Sequence, residues 1–165
     1  MATKVAVSME EYLGTAYEYD PEWVDGELVE RSLPTYPHSR AERRIVQSLA
    51  SAEGQAKLFS APNQRIWVSP DRWRVPDVSI FADREPEGPY PSNVFAAIEI
   101  LSPKDAMAAI YDKLSEYAAA GIQHLWVVDP GHKLVLKYER RSLIEVDAIE
   151  FPERAFRITA EQIFA

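Results

Sequence analysis

Two acidic residues stand where acids are costly. Asp77 lies in the apolar run 75–81 (VPDVSIF) and Glu99 in the run 95–101 (FAAIEIL), both of strand character. Burying a carboxylate costs several kcal/mol unless a cation, a hydrogen bond or a metal compensates. Two such acids on adjacent strands can hold a hard divalent cation, typically Mg²⁺, which prefers oxygen ligands and keeps several of its waters. Lys113, on the helix that follows, completes a chemistry if its ammonium reaches the same cleft. It could then orient or deprotonate an attacking water and stabilise charge building on a phosphate. This is the outline of metal-assisted phosphodiester hydrolysis. Paired acids also serve glycosidases, but those need their carboxyls at set separations and have no use for the lysine. For a lone helical lysine, solvent exposure is the ordinary alternative.

The elements that must position these residues follow from local pattern. Asp25-Gly26 between Trp23-Val24 and Leu28-Val29 predicts a two-residue hairpin, because a type I′ turn needs positive φ at both central positions. Glu27 is the first residue after that turn, and an exposed acid at a hairpin end is the plain reading of it. Residues 33–37 hold two prolines and predict a loop, with Ser39 as the N-cap of a helix carrying Ile45, Val46, Leu49 and Ala52 at helical spacing. His38 would then sit just outside the positive end of that helix.

Strand signals run from Trp73 through Val75, Val78, Ile80 and Phe81, with Pro76 restricted to an edge or bulge that could aim Asp77 into a cleft. Residues 82–93 predict an exposed loop, and 94–101 a strand buried on both faces. Residues 104–121 predict a helix whose core face uses Ala106, Ala109, Ile110, Leu114 and Tyr117. Lys113 and Tyr117 lie one turn apart on one side of it. Residues 124–129 and 133–140 predict two paired strands around Pro130-Gly131. One or two short strands follow, and a closing helix is capped by Thr159 with Gln162. Ser8 with Glu11 predicts a short, peripheral N-terminal helix. A single domain over residues 1–165, of α/β or α+β type, accommodates all of this.

With 165 residues, 47% of them hydrophobic and 27% charged, the chain can form a real core. The absence of cysteine excludes disulfides, thiolate metal sites and a cysteine nucleophile, and fits a cytoplasmic location. The first residues lack the apolar run of a signal peptide, and no stretch approaches a membrane span. A net charge of −8 argues against broad nucleic-acid binding through counterion release, leaving room for a local basic face at Arg40, Arg43 and Arg44.

Five segments in this order resemble a known family. They are 23–29 (WVDGELV), 34–38 (PTYPH), 75–79 (VPDVS), 98–103 (IEILSP), and 112–122 (DKLSEYAAAGI) with 126–130 (WVVDP) after it. Together they resemble the Uma-two family of restriction-endonuclease-like proteins, within the PD-(D/E)XK nuclease superfamily, over about residues 8 to 140. The resemblance implies a mixed four-stranded central sheet flanked by helices, with an N-terminal hairpin. It also implies a Mg²⁺-dependent endonuclease acting on DNA, with Mn²⁺ able to substitute. Asp77 matches the first acid and Glu99 the second. The lysine expected at Leu101 is absent, and Lys113 stands where the family supplies it from the next helix. Glu27 matches an additional acid, His38 a position near phosphate, and the Ile100 carbonyl a further metal ligand. A homodimer would suit cleavage of both strands of a duplex. Departures from the family pattern are the stretch 104–113 (KDAMAAIYDK), without Ser/Thr- and Arg-rich character, and the acidic balance. The alternative is a catalytically inactive nuclease-fold protein serving as a structural or protein-interaction module.

Overall fold

The computed structural model describes residues 5–165; residues 1–4, part of the stretch read for a signal peptide, lie outside it. Ser8 Oγ accepts from Glu11 N at 3.1 Å and starts α1 (Met9–Gly14). This helix is less peripheral than its sequence suggests. Tyr12 is fully buried and donates its hydroxyl to Pro21 O at 2.8 Å, and the Arg65 guanidinium lies over its ring.

Asp25 (φ 52°) and Gly26 (φ 83°) both adopt the left-handed conformation that a two-residue hairpin needs, joining β1 (Glu22–Val24) to β2 (Glu27–Val29). The hairpin is half of a four-stranded sheet. On its other edge β1 pairs with β5 (Arg72–Arg74), placing Trp23 opposite Trp73, and β5 pairs with β4 (Ile66–Ser69).

The strand expected from Trp73 to Phe81 is broken. The chain leaves β5 at Arg74, passes Val75, Pro76 and Asp77 outside any ladder, and re-enters a second sheet as β6 (Val78–Ala82). Proline has no N–H for a ladder, and here it stands at the crossing between two sheets. The break turns Arg74 and Asp77, three residues apart, toward different partners.

That second sheet is central and has six strands, where four were expected. β3 (Leu58–Pro62) lies at one edge, followed by β6, β7 (Ala96–Ile100), β8 (His124–Asp129), β9 (Leu134–Glu139) and β10 (Ser142–Val146). Only β7 and β8 run parallel, and α3 (Met107–Ala119) makes the crossover between them. A ribbon of β11 (Ala148–Phe151) and β12 (Phe156–Thr159) precedes α4 (Ala160–Phe164), whose capping box is formed by Thr159 and Gln162.

Strand alternation divides the sheet between two cores. Ala96, Ile98 and Ile100 face α2 (Tyr36–Ala56), packing with Ile45, Leu49, Trp126 and Val128. Ala97, Leu125 and Val127 face α3, packing with Ile110, Leu114 and Tyr117. Ala106 and Ala109 are exposed, so the buried face of α3 is narrower than its apolar composition suggested. Glu99 shares the parity of Ala97 and therefore projects toward α3.

Helix α2 begins earlier than the sequence reading placed it. Its N-cap is Thr35, not Ser39, and Pro37 occupies the first turn, where its missing N–H costs nothing. His38 is consequently a buried residue inside the helix. Arg40 donates to the carbonyl of Ala165, and Arg44 to that of Gln162 at 3.2 Å, so two of the three residues of the expected basic face bind the end of α4. Among the described residues no helix is long and apolar enough to cross a membrane.

Candidate active site

Antiparallel pairing of Val78 with Ile98 brings Asp77, one residue before β6, to the level of Glu99 and Ile100 on β7. The Ile100 N–H donates to Asp77 Oδ2 at 2.6 Å. A strand residue points its N–H and C=O to the same edge, so the Ile100 carbonyl also faces the Asp77 side. Asp77 Oδ1 is shared by two nitrogen groups: the Arg31 guanidinium, through Nη2 at 3.1 Å, and His38 Nε2 at 3.2 Å from the first turn of α2. Asn63 bonds Arg31 and Glu42 through its two amide ends, at 2.9 Å each.

Glu99, 5% exposed, meets α3. Tyr117 donates its hydroxyl to Glu99 Oε1 at 2.6 Å, and Lys113 Nζ lies 3.6 Å from Glu99 Oε2. One helical turn separates Lys113 from Tyr117, so the ammonium and the phenol reach one carboxylate from one helix face. Lys113 has a nearer partner, Glu22 Oε1 at 2.9 Å. Glu22, at the start of β1, also accepts from Arg74 Nη1 at 2.8 Å and from the Val75 N–H at 3.2 Å. Arg74 in turn forms a two-pronged pair with Glu116, at 2.8 and 2.9 Å. The result is a buried chain of alternating charge running from the hairpin sheet through α3 to the central sheet.

The titration of these groups follows from burial and from their neighbours. Burial pushes the Glu99 carboxyl up to about 7, with Asp77 and Glu22 adding to the rise while Lys113 and Tyr117 oppose it. For Glu22 burial acts the same way, but Lys113 and Arg74 outweigh it and hold the carboxyl below its ordinary value. Burial works against the Lys113 ammonium, yet Glu99 and Glu22 raise it to about 12. His38 is likewise opposed by burial and raised on balance by the hydrogen bond and charge of Asp77.

Among the residues expected from sequence, Asp77, Glu99, Ile100, Lys113 and His38 come together. Glu27 lies half-buried on β2 opposite Val24, and a second hairpin acid, Glu22, contacts Lys113. Glu22, Arg74, Glu116 and Arg31 were not singled out from sequence. The alternation in Arg72-Trp73-Arg74 around a buried tryptophan, and the position of Glu116 one turn from Lys113, are the signals that point to two of them.

Among the described residues, no group of three or more His, Cys, Asp or Glu is placed to hold a metal ion. The donors present are two carboxylates and a backbone carbonyl, all hard oxygens. Burial leaves the Glu99 carboxylate under-stabilised despite Lys113, with Asp77 and Glu22 adding to the rise of its pKa. That set fits a cation such as Mg²⁺, which takes one or two protein carboxylates and fills its remaining positions with water or phosphate oxygen.

Two cavities flank the cluster. One of about 690 Å³ reaches Asp77, His38 and Arg31, and one of about 370 Å³ reaches Lys113, Glu22 and Glu116. Glu30 and Ser32 line both, so the segment after β2 forms the wall between them.

The profile of the Uma2 family, described as "Putative restriction endonuclease", matches residues 8–161. Among solved structures, a protein from Anabaena variabilis ATCC 29413, described as a "putative nuclease belonging to DUF820", superposes with a TM-score of 0.78. The two are 22% identical, and the match covers 96% of this chain and 97% of the other. At that identity the likeness speaks for the fold. No curated protein matches the chain.

Proposed function

The chain belongs to the Uma2 family, and from that premise we propose that it is a Mg²⁺-dependent endonuclease hydrolysing phosphodiester bonds of DNA, with Mn²⁺ able to replace Mg²⁺. The observation that carries this reading is the approach of Lys113 Nζ to Glu99 at 3.6 Å. A lysine missing from the strand is returned to the strand's acid by the following helix. Asp77, Glu99 and the Ile100 carbonyl are the proposed metal ligands. When bound, the cation would lower the pKa of a coordinated water and polarise the phosphoryl oxygen.

The chain's own residues supply position and charge. In the metal-free protein Glu99 and Glu22 raise the Lys113 pKa to about 12, which favours the ammonium near neutral pH and a positioning role over that of general base. Its role is to hold the attacking water by hydrogen bonding and to offset negative charge on the phosphate. Tyr117 fixes the Glu99 carboxylate through Oε1, leaving Oε2 toward Lys113. His38 and the Ile100 N–H fix Asp77 from two sides.

One observation favours the rival reading of an inactive module with a nuclease fold. All four carboxylate oxygens of Asp77 and Glu99 already have protein partners. Incubating the protein with single-stranded, duplex and branched DNA in Mg²⁺ or Mn²⁺ separates the two. Cleavage by the wild type that is lost in Asp77→Ala and in Lys113→Ala supports the nuclease. No cleavage of any substrate, or cleavage undiminished in both variants, overturns it.

A further inference from the structure

Arg31 is the residue at the site that the proposed chemistry leaves without a task. It lies on the segment between β2 and α2, outside any helix or strand, with its side chain 20% exposed. Its guanidinium bridges Asn63 Oδ1 at 2.9 Å and Asp77 Oδ1 at 3.1 Å. Asp77 does not depend on it for placement, because His38 and the Ile100 N–H hold the same carboxylate from two other directions. Withdrawal of Arg31 would therefore leave no stranded buried charge at Asp77.

The adjoining cavity shows where the guanidinium has reason to go. Its wall carries five acids, Glu18, Asp20, Glu30, Glu42 and Asp77, and Arg31 is its one permanently charged cation among the described lining residues. Tyr17, Tyr19, Leu33 and Pro34 supply its apolar part, and Tyr19 is 67% exposed. A nucleic-acid strand entering here can rest a base on the aromatic side, as bases stack on exposed aromatic rings. Of the five carboxylates its phosphate would meet, Asp20 is already paired with Arg65; Arg31 is the guanidinium on the wall of the cavity, and a guanidinium matches phosphate oxygens two at a time.

We infer that Arg31 is a second phosphate-contacting residue beside Lys113, held in reserve on Asp77, so that a divalent cation and Arg31 compete for Asp77 Oδ1 and the arriving strand takes up the displaced guanidinium. This rests on the nuclease reading for the identity of cation and strand. The competition itself is a property of Asp77 and is measured without catalysis.

Calorimetric titration of Mn²⁺ into wild type, Arg31→Ala, Arg31→Gln and Asp77→Asn tests it. Both Arg31 variants are expected to bind Mn²⁺ about threefold or more tightly than wild type, the scale of a part-exposed ion pair, and Asp77→Asn to lose the binding. Arg31→Gln keeps a polar side chain against Asn63 and guards against a folding defect in Arg31→Ala. Binding of a labelled DNA oligonucleotide, with Ca²⁺ in place of Mg²⁺, should weaken in both Arg31 variants. Mn²⁺ binding that is equal or weaker in both, while Asp77→Asn loses it, overturns the competition and leaves the metal site standing. Wild-type binding retained by Asp77→Asn overturns the metal site as well. Tighter Mn²⁺ with unchanged oligonucleotide affinity overturns the phosphate contact.

Discussion

Lys113 Nζ lies 2.9 Å from Glu22 Oε1, nearer than the 3.6 Å that separates it from Glu99 Oε2. The partner that holds the ammonium thus belongs to the hairpin sheet, and the partner it serves belongs to the central sheet. Two anions around one cation keep it charged and leave it little freedom to rotate.

Glu22→Gln removes one of those anions while keeping the side chain's shape and its capacity to accept from Val75 N–H. The Lys113 pKa should fall from about 12, read from the Cε and Nζ resonances of the lysine across an alkaline titration. Stability should also drop, toward the lower end of the ~3–5 kcal/mol seen when one partner of a buried pair is removed. The low end applies because Arg74 keeps its two-pronged bond to Glu116. An unchanged lysine titration would show that Glu22 does not govern the ammonium.

Tyr117→Phe removes the hydroxyl that donates to Glu99 Oε1 at 2.6 Å. An ionised Glu99 deprived of a donor costs more than a protonated one, since the unmet hydrogen bond belongs to a buried charge. The substitution should therefore cost about 1–3 kcal/mol, with a larger loss at pH 8 than at pH 5 in urea denaturation. Equal losses at both pH values would mean that the bond does not act on the charged form.

The acids were legible in sequence because each interrupts an apolar run, an anomaly visible without tertiary structure. Lys113 was legible from its place on the helix after Glu99. Glu22 was not, because its importance arises only when β1 pairs with β5 and the four-stranded sheet meets α3, contacts between residues some 50 to 90 positions apart. Glu27 stands out in sequence by its place next to a conspicuous turn, whereas Glu22, five residues earlier, carries no such local mark. The continuous strand through residue 81 failed at Pro76, where the chain changes sheets. Pro37 carries the signal for the true start of α2, since proline favours the first helical turn and Ser39 beyond it cannot then be the cap.

Glu99 gives the metal-free protein an unusual response to pH. Its folded pKa of about 7 lies above the ordinary 4.5, so between those values the folded state binds more protons than the unfolded one. Stability must then fall as pH rises through that window, by about 3 kcal/mol from the size of the shift. His38, also raised, acts in the same sense just above its ordinary 6.5. Glu22, lowered, acts in the opposite sense below 4.5, where acid removes its contribution. Denaturation midpoints measured from pH 4 to 8 should peak near about pH 5, and Mg²⁺ should recover part of the loss at pH 8 by favouring the ionised acid. Stability that rises steadily to pH 8 without metal would contradict the rise of the Glu99 pKa through burial.

The hairpin turn supplies a test far from the acids. Gly26 has φ of 83°, and a Cβ built there meets nothing within 4 Å, so substitution is opposed by backbone conformation alone. Gly26→Ala should cost about 1–2 kcal/mol, the penalty of left-handed backbone for a residue with Cβ, and Gly26→Asn less, because asparagine tolerates that region. The turn fixes β1 against β2, and β1 carries Glu22, so the alanine variant should also loosen the hold on Lys113 and lower its pKa more than the asparagine variant does. Loss of stability with the Lys113 titration unmoved would show that pairing with β5 alone is enough to position Glu22.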